Sequence, residues 1–266
     1  MLAVAATIAV VVLGAQPAAA ADVYGDDEAD RYVGTGGLIL PGTVDPGTRR
    51  EVAGCPGCRW RLSTPCLLSG AGTPFDGQPV CQSVVRGCGN GQQLLRAWFA
   101  RDGSWWREIG LVCIGPSGPF TVAEARRRAR SMFVRDLPVP AAARQPDRGI
   151  VTQIPVVFRS GQPAGPLRAD YPIAGEVVHL VAEPSWRWDF GDGATLTTAS
   201  PGAGYPDLSL SHTYRQAGRY AVTVATIWSA EFTVAGLGPY EIAEPVRQSA
   251  GVDVAVGEGR AVLTVR

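Results

Sequence analysis

The chain has 266 residues, with 24 basic and 24 acidic side chains and a formal net charge of zero. That balance gives no long-range electrostatic case for a nucleic acid or an anionic surface as partner. Every basic residue is arginine, and with no lysine present, catalysis through a lysine Schiff base or amine is excluded.

Residues 1–13 are almost wholly apolar, Gly14-Ala15-Gln16-Pro17 breaks the run, and Ala18-Ala19-Ala20-Ala21 supplies the small residues that a signal peptidase reads. The run is shorter than the roughly 20 residues a membrane span needs. It predicts a secretory signal peptide over residues 1–21, cleaved near Ala20 or Ala21, and no membrane span afterwards. No arginine precedes the run, so an uncleaved anchor is the competing reading. Residues 22–54 begin acidic and continue with Gly34, Gly36, Gly37, Pro41, Gly42, Pro46 and Gly47. Few aromatics and many turn formers predict a flexible, mostly extended or disordered N-terminal arm, serving either as an exposed tether or as a partner-binding arm.

Six cysteines follow, Cys55, Cys58, Cys66, Cys81, Cys88 and Cys113, and none lies beyond them. An even number confined to one segment behind a signal peptide predicts a small disulfide-rich domain over residues 55–118. Cys55-Pro56-Gly57-Cys58 also admits a zinc knuckle or a redox motif. A zinc site wants a second close pair, which Cys81 and Cys88 do not make, and a redox motif wants a strand and a helix around it. Residues 94–100 and 106–114 read as two strands around Asp102-Gly103, a favoured hairpin turn. A symmetric hairpin places Cys113 opposite Gln92 and close to Cys88, which makes Cys88–Cys113 the best single pair. The hairpin carries Trp98, Trp105 and Trp106, which serve either as the core of a small domain or, at Trp105 and Trp106, as a platform for a sugar ring.

Thr121-Val122-Ala123-Glu124 has the form of a capping box, and Val122, Ala125, Ala129, Met132 and Phe133 recur at helical spacing. They predict a helix within residues 119–136, with Arg126, Arg127, Arg128 and Arg130 on a face that is either simply solvated or attracts an acidic lipid or teichoic-type polymer. Residues 137–149 are rich in Pro and Ala and read as a semi-rigid linker.

The last part of the chain carries Trp186-Arg187-Trp188-Asp189-Phe190-Gly191-Asp192-Gly193, then His212-Thr213-Tyr214, then Gly218-Arg219-Tyr220-Ala221-Val222-Thr223-Val224. Trp186, Trp188 and Phe190 are spaced by two and share one strand face, as do Tyr220, Val222 and Val224. Two such faces packed together make a β-sandwich. The order and spacing resemble the PKD (polycystic kidney disease) domain, an immunoglobulin-like sandwich of extracellular proteins, over about the last 115 residues. The resemblance implies a structural role for His212 and for Gly191-Asp192-Gly193. Strands are expected at 150–158, 176–182, 186–190, 209–214, 220–228 and 231–234, with a bend at 228–231 and a closing strand at 260–266. The bias toward Arg, Ala, Gly, Pro and Val is that of very GC-rich codons of the actinobacterial kind.

The whole chain therefore reads as mainly β: a C-terminal immunoglobulin-like (PKD) β-sandwich over residues 150–266, preceded by a small disulfide-rich β domain and one helix. No catalytic constellation is evident. Ser211 and His212 are neighbours on a strand and point to opposite faces, so with Asp207 they form no triad. Asp189 and Asp192 belong to the turn, where carboxylates bond amides; a calcium ion held there is the competing reading. The expected role is non-catalytic and cofactor-free binding of an extracellular protein or polysaccharide, through residues 194–206, residues 236–245 or the Trp105–Trp106 surface. The alternative is a structural part of a cell-envelope assembly such as a pilus or secretion apparatus, and an extracellular hydrolase is the third reading.

Overall fold

The computed structural model describes residues 23–24, 30–65, 87–89, 91–101 and 105–259. The predicted signal peptide, Cys66, Cys81, the Asp102-Gly103 turn and the expected strand at 260–266 lie outside the described residues. The described chain is mainly β.

The N-terminal unit is a five-stranded antiparallel sheet of β1 (Val23–Tyr24), β2 (Asp30–Thr35), β3 (Arg59–Ser63), β4 (Gln93–Ala100) and β5 (Arg107–Ile114), in chain order, with helix α1 (Pro46–Ala53) between β2 and β3. Alternation decides its faces. Trp60 and Leu62 of β3 join Leu95, Ala97 and Phe99 of β4 and Val112 and Ile114 of β5 on one side, and Leu38, Leu40 and Val52 cover them. The expected flexible arm over residues 22–54 is thus corrected: it supplies β2, α1 and part of this core. Gly34 and Gly37, two of the glycines that suggested looseness, are packing devices. A Cβ on Gly34 would lie 2.3 Å from the Trp60 ring, so only glycine lets β2 pass over that indole. Asp45 caps α1 by accepting a hydrogen bond from the Thr48 amide at 2.9 Å.

A disulfide joins Cys88 to Cys113, and another joins Cys55 to Cys58. Cys113 pairs in register with Leu94 rather than lying opposite Gln92: the pairs Phe99↔Arg107 and Trp98↔Glu108 are already one residue off the symmetric register, and the shift between Ala97 and Trp98 adds a second.

Helix α2 (Val122–Asp136) starts at Thr121, whose hydroxyl accepts from the Glu124 amide at 3.1 Å. The Glu124 carboxylate reaches forward to Arg128 rather than back to the cap. The sandwich follows, with β6 (Ala143–Gln145), β7 (Pro155–Arg159), β8 (Leu167–Ile173), β9 (Glu176–Asp189), β10 (Thr195–Thr198), β11 (Ser211–Thr213), β12 (Gly218–Val234), β13 (Leu237–Glu241) and β14 (Val246–Val256). The large sheet runs β10-β9-β12-β13, with β8 on β9 and β14 on β12, and the small sheet runs β11-β7-β6. All these pairings are antiparallel.

Four sequence expectations are corrected here. The strands at 176–182 and 186–190 are one, β9, and those at 220–228 and 231–234 are one, β12. The bend at 228–231 is absent: Trp228 pairs with Pro184 and Ser229 with Glu183 in an unbroken ladder. The inward alternation Val222, Val224, Thr226, Trp228, Ala230, Phe232, Val234 never loses its period, and small Ser229 and Ala230 only thin it. Residues 137–149 are no free linker. Leu137 is buried, the Ala141 amide donates to the Ser160 carbonyl, and 143–145 form an edge of the small sheet. Within the described residues the strand completing the large sheet beside β12 is β14, in the segment left unassigned by sequence.

The long strands serve two cores. Their upper halves pack Trp186, Trp188, Phe190, Val222 and Val224 against Phe158, Leu210 and Tyr214 of the small-sheet side. Their lower halves pack Val178, Leu180, Trp228 and Phe232 against α2, where Phe133 meets the Trp228 ring edge-on at 6.4 Å. Ile39, Ala53 and Phe120 join that second core, so it continues into the N-terminal unit.

Candidate functional site

The aromatic end of β9 and the turn that follows form one braced unit. Asp189 Oδ1 accepts from the Gly191 amide at 2.9 Å, and Asp192 Oδ1 accepts from the Ala194 amide at 3.1 Å. Gly191 has φ of 79°, and a Cβ there would press on the Ala221 carbonyl at 2.9 Å, so the position requires glycine twice over. Asp192 Oδ2 lies 2.7 Å from His212 Nε2. The His212 ring stacks on Phe190 at 4.2 Å and meets Tyr214 edge-on at 4.7 Å. Tyr214 is fully buried and donates to the Phe190 carbonyl at 3.1 Å, and its ring stacks on Tyr220. Tyr220, just past Gly218, donates to the Gln216 carbonyl. Trp186, Trp188 and Phe190, the Gly191-Asp192-Gly193 turn, His212, Tyr214 and Tyr220 therefore meet in one place.

Residues 171–227 match the PKD domain family. No curated protein matches the chain. The match spans β8 through most of β12, and the flanking β6, β7, β13 and β14 complete the sandwich around it.

Asp189, Asp192 and Asp207 are each committed to a turn amide. Burial raises the Asp192 carboxyl pKa, but the hydrogen bonds from His212 and the Ala194 amide outweigh it and hold the pKa below its ordinary value. Burial, with the Asp192 charge beside it, pushes the Tyr214 phenol well above its usual range. Asp207 accepts from the Ser209 amide, which lowers its pKa, and Ser211 donates to the Leu208 carbonyl. Ser211, His212 and Asp207 thus each have a different partner, and the geometry supplies a brace rather than a nucleophile and base.

Sequence reasoning missed the polar centre of the sandwich. Gln162, in the β7–β8 connection, is buried, and its Oε1 accepts from Trp186 Nε1 at 2.9 Å and from the Thr226 hydroxyl at 2.6 Å. Its amide nitrogen donates to the Pro138 carbonyl and to Gln248. A lone Gln in a Gly/Pro-rich loop carries no periodic signal; buried Trp186 and Thr226, each needing a partner, were the only clue.

Among the described residues, three surfaces offer apolar or charged side chains for contact. The first is an apolar groove of about 370 Å³ on the small-sheet side, lined by Gln145, Pro146, Ile154, Val157, Tyr205 and Leu208. Tyr205 is 69% exposed, and Ile154 and Leu208 are about half exposed. The Tyr205 amide donates to Gln145 Oε1 at 3.0 Å, which holds the loop against β6. This places the aromatic of the 194–206 loop at the groove.

The second is a cleft of about 430 Å³ beside residues 241–245, bordered by Glu183, Glu231, Glu241 and Glu244. The third is the outer face of the N-terminal sheet. There the Arg61 guanidinium lies between the Trp98 ring, at 5.0 Å, and the Trp106 ring, at 4.8 Å, and Arg59 lies over Trp106 at 5.3 Å. Trp98 is buried and donates to Ser63 Oγ, whereas Trp105 is 77% exposed. Of the three hairpin tryptophans, one is packed, one is clamped and one projects into solvent.

Proposed function

We propose that the chain is a non-catalytic interaction module of the extracellular or cell-surface space, contacting a protein partner through the Tyr205 groove of its PKD sandwich. The observation that carries this reading is the groove itself. Three of the large exposed hydrophobics of the described chain, Ile154, Tyr205 and Leu208, line one concavity on a domain whose other aromatics are packed. Contiguous exposed apolar surface of this kind marks contact sites. Its single amide, Gln145, suits a peptide better than a sugar, whose hydroxyls want many polar partners. Disulfides at Cys55–Cys58 and Cys88–Cys113 support an oxidising compartment, and no helix of the described residues is long and apolar enough to cross a membrane.

Capture of partners from intact cell envelopes tests the proposal. Tyr205→Ala with Leu208→Asp removes the captured protein and leaves the melting temperature unchanged; equal capture by the variant contradicts it. Trp105 favours a second reading, a polysaccharide contact, because an exposed indole next in sequence to Trp106, whose ring Arg59 and Arg61 cover, is free to stack on a sugar ring. Glycan binding lost with Trp105→Ala and kept with Tyr205→Ala selects that reading.

A further inference from the structure

Among the described residues β14 pairs with β12 alone, through eleven consecutive register partners from Gly218↔Val256 to Trp228↔Val246, with no shift. Among the described residues its other edge has no ladder partner from Val246 to Val256 and contains no Pro. The direction of its backbone groups is fixed at its end. The Gly257 amide donates to the Ile150 carbonyl at 2.9 Å, and the Gly257 carbonyl accepts from the Thr152 amide at 3.0 Å. Both groups of residue 257 thus point away from β12. In an antiparallel ladder this orientation alternates, so the N–H and C=O of Ala255, Asp253, Gly251, Ser249 and Arg247 also face the open edge. All five residues lie on the exposed face, while Val254 and Val256 point into the core.

The edge is self-complementary. Two antiparallel copies of β14 related by a twofold axis at Ala250 set Arg247 opposite Asp253 of the other copy, and Ser249 opposite Gly251. Every bonded pair in this register joins two residues whose backbone groups already face outward, as the ladder requires. Ala250, with even numbering, falls on the axis at a non-bonded site, where cross-strand side chains come closest and a methyl fits. Of the twofold registers, this one puts the strand's two charged residues together, and symmetry forms the ion pair twice.

We propose that β14 is the interface of a symmetric dimer, in which two large sheets join into one across the Arg247–Asp253 pairs. The partner is a second copy of this chain. This inference does not depend on the Tyr205 groove, which lies on the small-sheet side.

Sedimentation equilibrium of the full chain over a wide concentration range tests it. The native chain dimerises. Arg247→Asp faces two carboxylates across the axis and weakens the dimer about tenfold, as does Asp253→Arg, and the double exchange Arg247→Asp/Asp253→Arg restores it to within about threefold. Ser249→Pro deletes an N–H that the β12 ladder does not use, so it abolishes the dimer while the melting temperature of the monomer holds. A native chain that stays monomeric throughout overturns the proposal. So does a dimer indifferent to the charge reversals and to Ser249→Pro. A Ser249→Pro chain that fails to fold leaves the decision to the charge exchange, which does not touch the backbone.

Discussion

Asp192 Oδ2 and His212 Nε2 stand 2.7 Å apart, joining the turn after β9 to the edge strand β11 of the opposite sheet. The two side chains are mostly buried and hold the sheets together where the sequence separates them by 20 residues. The Asp192 pKa is depressed in the folded protein despite the burial that opposes it. A carboxyl with a depressed folded pKa adds stability that is present above its unfolded pKa and is lost as pH falls through the folded one. Thermal melts of the native chain and of Asp192→Asn should therefore differ most above about pH 4 and converge toward pH 2. A gap of constant size across that range contradicts this role for the pair.

Trp188 is fully buried between Phe158, at 5.8 Å, and Phe190, at 6.5 Å. Trp188→Ala should cost about 3–5 kcal/mol, a large share of the roughly 5–15 kcal/mol that holds a domain together. Denaturant unfolding followed by tryptophan fluorescence measures it. A loss below about 1 kcal/mol shows that the site is not core.

Gln162 is a test of polar satisfaction. Gln162→Leu keeps the approximate volume and leaves Trp186 Nε1 and the Thr226 hydroxyl without their acceptor. Each orphaned group costs about 1–3 kcal/mol, so the variant should lose about 2–6 kcal/mol. Adding Thr226→Val, which removes one of the two stranded groups, should recover part of the loss. If the double variant is as unstable as the sum of the singles, the two side chains are not coupled.

Helix α2 lies outside the residues that match the PKD family, yet it covers the lower half of the sandwich. Phe133 is fully buried against Trp228, so Phe133→Ala should destabilise the sandwich by about 3–5 kcal/mol in the full chain. A sandwich transition unmoved by Phe133→Ala shows instead that α2 is an independent cap.

The upper sandwich was legible because its signals are local. Trp186, Trp188 and Phe190 keep period two, glycines stand where φ is positive, and His212 and Tyr214 fall at the expected interval. The lower sandwich was obscured by Ser229 and Ala230, two small residues in a strand whose outer partner is a helix. The arm over residues 22–54 was misread because composition cannot tell a glycine that frees the chain from one that makes room for Trp60. The Cys88–Cys113 pair followed from hairpin symmetry, while its offset register did not, since the bulge at Ala97–Trp98, which supplies part of that offset, has no composition signature. At the candidate site, the 194–206 loop was named from topology alone. That Tyr205 meets Ile154 and Leu208 depends on β6 and β7 packing side by side, and no local spacing encodes it.

Site-specific photo-crosslinking at the groove tests the central claim most directly. A photoreactive residue at Tyr205, in the chain displayed on intact cells, should crosslink to one protein partner, and the adduct should vanish with Leu208→Asp. The same group at Arg148, an exposed position outside the groove lining, should give no such adduct. Equal labelling at both positions, or no protein adduct at Tyr205 under conditions where the chain is captured on the envelope, contradicts the account.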